Sequence, residues 1–192
     1  MQKIVNIVKQ KIDYYIGQKE LHNNSGFKEQ WYEQLMRKMG WKKYQSWCAY
    51  AAEAVWKEAY TKIGAIDVVN KLDMLFSASA VQTYKNFIKA GYPHGTIPRI
   101  GALAVWQLYK NGKPDWRGHI GVVYSTSNNF TFISGEGNTN KGKSRNGEMY
   151  NKNVHYIKEE KVRNNSLRFI GFIYLTDYLF KENMKKTSAY AY

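Results

Sequence analysis

The stretch Tyr44-Gln-Ser-Trp-Cys48-Ala-Tyr-Ala-Ala52 holds the only cysteine of this 192-residue chain. The residues after it carry an apolar stripe at helical spacing, which predicts a buried helix. With Ser46 as the candidate N-cap, Cys48 falls in the first helical turn. Unpaired backbone N–H groups and the helix dipole favour a thiolate there. The stretch is therefore compatible with a nucleophile, and equally with a small buried hydrophobic residue. The stripe comprises Ala52, Val55, Trp56, Ala59 and Tyr60.

Two later runs predict an antiparallel hairpin: Gly118-His119-Ile-Gly-Val-Val-Tyr124 and Phe130-Thr-Phe-Ile-Ser-Gly-Glu136-Gly-Asn138. The polar residues 125–129 between them are typical of a turn. His119 opens the first run and Glu136 comes at the end of the second, so the hairpin brings both to one end of the sheet.

The register decides whether these two side chains meet, because strand side chains alternate between the two faces. His119 and Glu136 face each other if Tyr124 pairs with Thr131, giving a six-residue connection, or if a bulge shifts the pairing. Asn138 points to the same side if the chain stays extended beyond Glu136.

A thiol, an imidazole and a carboxylate from three elements are what nucleophilic acyl transfer requires. In this interpretation Cys48 attacks a carbonyl and its backbone N–H helps to hold the oxyanion. His119 promotes the thiolate and protonates the leaving amine, and Glu136 orients the imidazole. Taken singly, His119 also fits a structural core histidine and Glu136 a solvated loop carboxylate.

The order of the elements predicts an α+β fold, with helices first and strands afterwards. We expect one domain over residues 1–180, beginning with an amphipathic helix within residues 1–16, and a flexible basic tail over residues 181–192. The predicted helices are Ile4–Ile16, Phe27–Met39, the cysteine helix and Ala80–Ala90. The predicted strands are Ala102–Trp106, His119–Ser125, Phe130–Ser134, Val154–Ile157 and Phe169–Leu175.

Four ordered motifs resemble the CHAP branch of the papain-like NlpC/P60 superfamily, and the likeness spans about residues 17–175. Members of that family are cysteine amidases and endopeptidases that cut peptidoglycan, and many are phage endolysins. One departure is Ala102, where the family often has an aspartate. The motifs are Trp47-Cys48-Ala49, Pro98-Arg-Ile-Gly101-Ala-Leu-Ala-Val-Trp106, Gly118-His119-Ile-Gly-Val-Val and Glu136-Gly-Asn-Thr-Asn140.

The resemblance implies a papain-like fold in which N-terminal helices pack on a C-terminal antiparallel sheet. It also implies that Cys48 is the nucleophile, His119 the base, Glu136 the orienting acid and Asn138 an auxiliary polar group. Gln45 and Trp47 are then candidates for substrate binding and the oxyanion site. We expect no cofactor, no metal and a monomer.

The charge predicts an anionic partner, since 29 Lys and Arg side chains stand against 15 Asp and Glu, a net charge of +14. Nucleic acid, a phosphate-rich wall polymer and an acidic membrane surface all fit. With the resemblance, we expect peptidoglycan as substrate and anionic wall polymers as the partners of the basic surface. A wall-binding module without catalysis and a nucleic-acid-binding domain remain the alternatives.

Other motifs predict less. The run Gly137-Asn-Thr-Asn-Lys-Gly-Lys-Ser144 matches the phosphate-binding pattern, but no helical stripe follows it, so we expect a polar loop and no nucleotide. The four histidines show no metal-ligand spacing, and the adjacent Glu159 and Glu160 fit a solvated face. The amino terminus lacks the apolar core of a signal peptide, and no apolar run is long enough to span a membrane. We therefore expect a protein that stays in the cytoplasm until release and acts at the cell wall, as a phage endolysin or an exported effector.

Overall fold

The computed structural model describes residues 2–140, 147–157 and 166–176. Within these ranges, five α-helices precede a six-stranded antiparallel sheet, which is the α+β arrangement predicted. The helices are α1 (Gln2–Tyr15), α2 (Gln30–Lys38), α3 (Cys48–Lys62), α4 (Ile66–Leu75) and α5 (Ala80–Lys89), and the strands are β1 (His94–Gly95), β2 (Leu103–Lys110), β3 (Lys113–Asn128), β4 (Thr131–Thr139), β5 (Met149–Tyr156) and β6 (Leu167–Ile173).

Three features of the structure extend the predicted set. Helix α4 and the short strand β1 were not predicted. Only Leu72 of α4 is buried, although Val69 and Leu75 also pack against the core, and β1 has just two residues. Strand β3 begins six residues before His119. Its first six residues are mostly exposed and lack a regular alternation of apolar and polar side chains, so this part of the strand was not predicted. The predicted tail over residues 181–192 lies outside the described residues.

The sheet is strongly curled. Its strand order is β1-β6-β2-β3-β4-β5, so two strands separate β4 from β6. Three strand spacings in a flat sheet would put their side chains about 14 Å apart. The ring centroids of Phe132 on β4 and Phe172 on β6 are instead 5.2 Å apart. The concave face therefore encloses its own aromatic cluster, to which Trp106 and Phe169 also belong.

Helix α3 is the centre of the other core, where helices cover the opposite face of the sheet. Nearly every residue from Cys48 to Tyr60 is buried, as expected for a helix surrounded by protein on all sides. Gly137 on β4 lets α3 come close, because a Cβ atom there would lie 2.5 Å from the ring of Trp47 and 2.7 Å from the Cβ of Ala51. The start of α3 therefore packs closely against the end of β4.

Candidate active site

Cys48 is the first residue of α3, but Ser46 is not the cap. The N-cap is Trp47, whose carbonyl accepts the first helical bond from Ala51 N–H at 2.9 Å. No side chain caps the helix, so the predicted role of Ser46 is wrong. The predicted place of Cys48 in the first helical turn is correct. Its thiol is nearly buried and lines a cleft of about 460 Å³, a size common for binding sites.

His119 on β3 is fully buried beside the carboxylate of Glu136, and its Nε2 lies 2.8 Å from Oε2 of Glu136. Its buried Nδ1 forms no hydrogen bond with the described residues, and Cys48 is the other neighbour that acts on the ring. Burial is the largest influence on the pKa of His119 and lowers it, but interactions with Cys48 and Glu136 outweigh it and raise the pKa above its usual value. The charged form of the imidazole is therefore favoured by its two neighbours, Cys48 and Glu136.

A bulge sets the register that brings His119 and Glu136 together. Val122 pairs with Gly135 and Val123 with Ser134, and the pairing then shifts before Ser125. Of the two registers predicted, the pairing of Tyr124 with Thr131 is therefore wrong, and the bulged one is correct.

Gly121 gives the Glu136 side chain room to reach across β3. A Cβ atom on Gly121 would lie 2.6 Å from Cγ of Glu136, so any larger residue at this position would push the carboxylate aside. The missing side chain thus opens the path along which Glu136 reaches His119, which lies two residues earlier on the same face of β3.

Two further buried side chains hold Glu136, and sequence reasoning missed both. Oε1 of Glu136 accepts hydrogen bonds from Ser134 Oγ at 2.6 Å and from His155 Nε2 at 2.6 Å. All three side chains are fully buried. His155 lies on β5 opposite Phe132 and packs against that ring and against Trp106.

Near the end of β5 the apolar side chains point to solvent and the polar ones point inward, which is the reverse of the usual pattern. This explains why His155 was missed. Val154 and Tyr156 are exposed, while Asn153 and His155 point inward. Each inward side chain has a polar partner: Asn153 donates to the Thr139 hydroxyl at 3.2 Å, and His155 donates to the Glu136 carboxylate. An alternation rule that turns apolar residues inward assigns this strand to the wrong face. The only sequence signal was a histidine that alternates with apolar neighbours.

The chain does not stay extended at Asn138, contrary to the condition on which its predicted orientation depended. Its backbone is left-handed (φ +56°), within a bulge of β4. Its Oδ1 accepts from the Trp47 N–H at 3.0 Å, and its Nδ2 donates to the Gly147 carbonyl at 2.8 Å. Asn138 therefore ties the end of β4 to the residue before Cys48, which makes it a positioning residue for the thiol.

Gln45 and Trp47 have different surroundings. Gln45 lines the cleft, and its Oε1 accepts from Lys42 N–H and from the Tyr50 hydroxyl. That arrangement leaves the amide nitrogen as the donor end of the side chain. Trp47 does not line the cleft: its ring is fully buried and donates to Glu20, so the predicted contact of this side chain with substrate is wrong.

The remaining walls of the cleft come from the start of α5 and from β3. Trp116 is 73% exposed and Arg117 lies beside it, paired with Asp115 at 2.7 Å. Ser79, the N-cap of α5, donates to the Trp116 carbonyl at 3.0 Å and so fixes the two walls to each other. The cleft is therefore a partly aromatic trough that Cys48 lines, with two of its walls joined by a hydrogen bond.

Other sequence motifs do not add to this site. Lys143 and Ser144 of the phosphate-binding pattern, like Glu159 and Glu160, lie outside the described residues. Within the described ranges, no group of three or more His, Cys, Asp and Glu side chains is arranged to hold a metal ion. None of the helices described there has the length and apolar character needed to cross a bilayer.

No protein-family model matches this chain, and no curated protein matches it significantly.

Proposed function

We propose that this protein is a cysteine hydrolase that cleaves an amide bond in bacterial peptidoglycan. The observation that carries the proposal is the proximity of Cys48, on the wall of an open cleft, to the buried pair of His119 and Glu136. Three separate elements, α3, β3 and β4, supply the three groups. The resemblance of the sequence motifs to CHAP amidases and endopeptidases supports the same reaction, and the α+β arrangement of helices and antiparallel sheet is compatible with it.

The reaction begins with the thiolate of Cys48. The sulfur attacks the amide carbonyl carbon and forms a C–S bond, while the carbonyl electrons move onto oxygen. When the tetrahedral intermediate collapses, the C–N bond breaks and the imidazolium of His119 gives its proton to the departing amine. A thioester remains on Cys48. His119, now neutral, takes a proton from water, and the resulting hydroxide attacks the thioester to release a carboxylic acid and regenerate the thiol.

Two donors are available for the oxyanion. The backbone N–H of Cys48 lies in the first turn of α3, where helical N–H groups point out of the end of the helix, and the side-chain amide of Gln45 lines the same cleft. The Tyr50 hydroxyl and the Lys42 N–H hold the Gln45 oxygen, so they orient the amide nitrogen before substrate arrives. Preorganised donors of this kind stabilise charge that develops in the transition state.

Peptidoglycan is the amide-rich polymer that best fits the whole molecule. The protein carries a net charge of +14, and bacterial walls and envelopes carry anionic polymers that attract such a surface. The open cleft admits a segment of a branched polymer, while the buried thiol limits attack to a carbonyl that enters the trough. The motifs around Cys48, His119 and Glu136 support this substrate over other amides.

The proposal is tested by digesting purified sacculi and identifying the released fragments by mass spectrometry. The wild-type protein should release new amino groups and new carboxyl groups in equal number, at one type of bond. Cys48→Ala should release none. Met74→Ala, a change at a 74% exposed side chain on α4, is the matched control and should match the wild type. Fragments released equally by Cys48→Ala would overturn the proposal.

A further inference from the structure

A second groove, of about 380 Å³, lies between the end of α1 and the start of α2. It shares no lining residue with the cleft at Cys48. Its lining includes two aromatic side chains, an amide and three charged groups. These are Tyr14, Trp31, Gln18, Lys19, Lys28 and Glu29.

The aromatic pair forms an exposed platform. The ring centroids of Tyr14 and Trp31 are 4.8 Å apart, and the planes are inclined by 37°. Tyr14 is 60% exposed, although an aromatic ring normally gains by burial. Trp31 is backed by Tyr15 and Tyr32, at 6.3 and 5.4 Å, so its orientation is fixed by the core. Flat, rigid rings open to solvent suit the C–H face of a sugar ring.

A buried acceptor lies next to this platform. Oε1 of Gln18 is shielded from solvent and has no hydrogen-bond partner among the described residues. Buried polar atoms are nearly always paired, so an unpaired one in a groove wall points to a missing donor. Once the Gln18 side chain turns toward the groove, the hydroxyl or the acetamido N–H of an amino sugar would supply that donor.

The charge of the groove favours an acidic ligand. Lys19 and Lys28 are held side by side by a backbone hydrogen bond of 2.9 Å between them. Neither forms an ion pair in the part of the chain that the structure describes. Glu29 is the single carboxylate of the lining, so the two lysines leave an excess of positive charge. A ligand with a carboxylate would neutralise it.

We propose that this groove binds an acidic amino-sugar glycan. In relation to the active cleft, this inference rests on the proposed function: the glycan would be the backbone of the same wall polymer where its stem peptides have been removed, because the muramoyl carboxylates are free only there. Hydrogen bonds connect the segments that carry the two sites. Gln18 O accepts from Tyr150 N–H at 2.8 Å, and Glu20, two residues on, accepts from the ring N–H of Trp47 beside Cys48.

The test uses the full chain with Cys48→Ala, which removes hydrolysis from the readout. Peptide-free glycan strands prepared from peptidoglycan are titrated by calorimetry into this protein and into the same protein with Tyr14→Ala or Lys28→Glu. Each added change should weaken binding about tenfold or more. Met74→Ala in the same background should bind as tightly as the parent.

Equal binding by Lys28→Glu and its parent would overturn the proposal. Lys28 is exposed and its ammonium makes no contact in the described structure that folding needs, so this variant remains decisive if Tyr14→Ala fails to fold. Tighter binding of a neutral chitin oligomer than of the acidic glycan would also overturn it. Because binding is measured without cleavage, its loss is distinguishable from failure of the hydrolase proposal, which the digestion of sacculi tests separately.

Discussion

The carboxylate of Glu136 lies between two buried histidines: Oε2 is 2.8 Å from Nε2 of His119, and Oε1 is 2.6 Å from Nε2 of His155. A buried carboxylate is costly unless it is paired and hydrogen-bonded. The Ser134 hydroxyl supplies a third bond. With both oxygens held, the carboxylate cannot rotate, and the plane it presents to His119 is fixed by β4 and β5 together.

His155 should act as a positioning residue for the reaction. His155→Leu removes the donor to Glu136 and should lower kcat about tenfold or more with little change in KM, because the cleft does not contain this side chain. His155→Gln keeps an N–H donor and should recover most of the loss. Steady-state kinetics on soluble peptidoglycan fragments provide the measurement. Equal losses in both variants, or unchanged kcat in His155→Leu, would contradict the assignment.

Replacing Glu136 with Gln should shift the pH dependence. The hydrogen bond and charge of Glu136 help to raise the pKa of His119, so the imidazolium persists above the usual value near 6.5 and is lost as pH rises through the raised pKa. Glu136→Gln removes the charge and should move the alkaline limb of kcat/KM to lower pH, with kcat reduced about 10²- to 10⁴-fold.

The raised pKa of His119 also makes the free energy of unfolding depend on pH, and this contribution falls as pH rises. A pKa that is higher in the folded than in the unfolded protein gives stability that is fully present below the unfolded value and lost as pH rises through the folded one. The wild-type protein should therefore lose more unfolding free energy than Glu136→Gln over that interval. An alkaline limb at the same pH in both proteins would show that Glu136 does not act on the imidazole.

Salt should slow attack on whole cell walls. With a net charge of +14, capture by anionic polymers is screened over about 10 Å at 0.1 M salt and over shorter distances above it. The rate of turbidity loss in a cell suspension should fall as ionic strength rises, while cleavage of a small uncharged peptide amide should change little. Lysis that is independent of salt would remove the role given to the charge.

The sequence was informative where the pattern is local. The stripe after Cys48 predicted α3, and alternation within the two runs around His119 and Glu136 predicted the hairpin, because helix and strand periods leave direct traces. The bulge could only be offered as one of two registers, since no residue in residues 125–129 selects between them.

Features set by distant contacts were not predictable in this way. Asn138, 91 residues after Trp47, holds the start of α3, and no local pattern near Ser46 reports that contact. His155 faces inward because its side chain forms a hydrogen bond with the buried Glu136, so its burial follows from a polar partner and not from hydrophobicity. The groove beside Tyr14 depends on α1 and α2 meeting, which a single helical stripe does not specify.

The central claim is that the sulfur of Cys48 is the nucleophile, and alkylation tests it most directly because the chain contains no other cysteine. The protein is treated with iodoacetamide until intact-mass analysis shows one adduct, and the release of amino groups from sacculi is then compared with that of untreated protein. We predict complete loss of release after modification. Undiminished release by the fully modified protein would contradict the account.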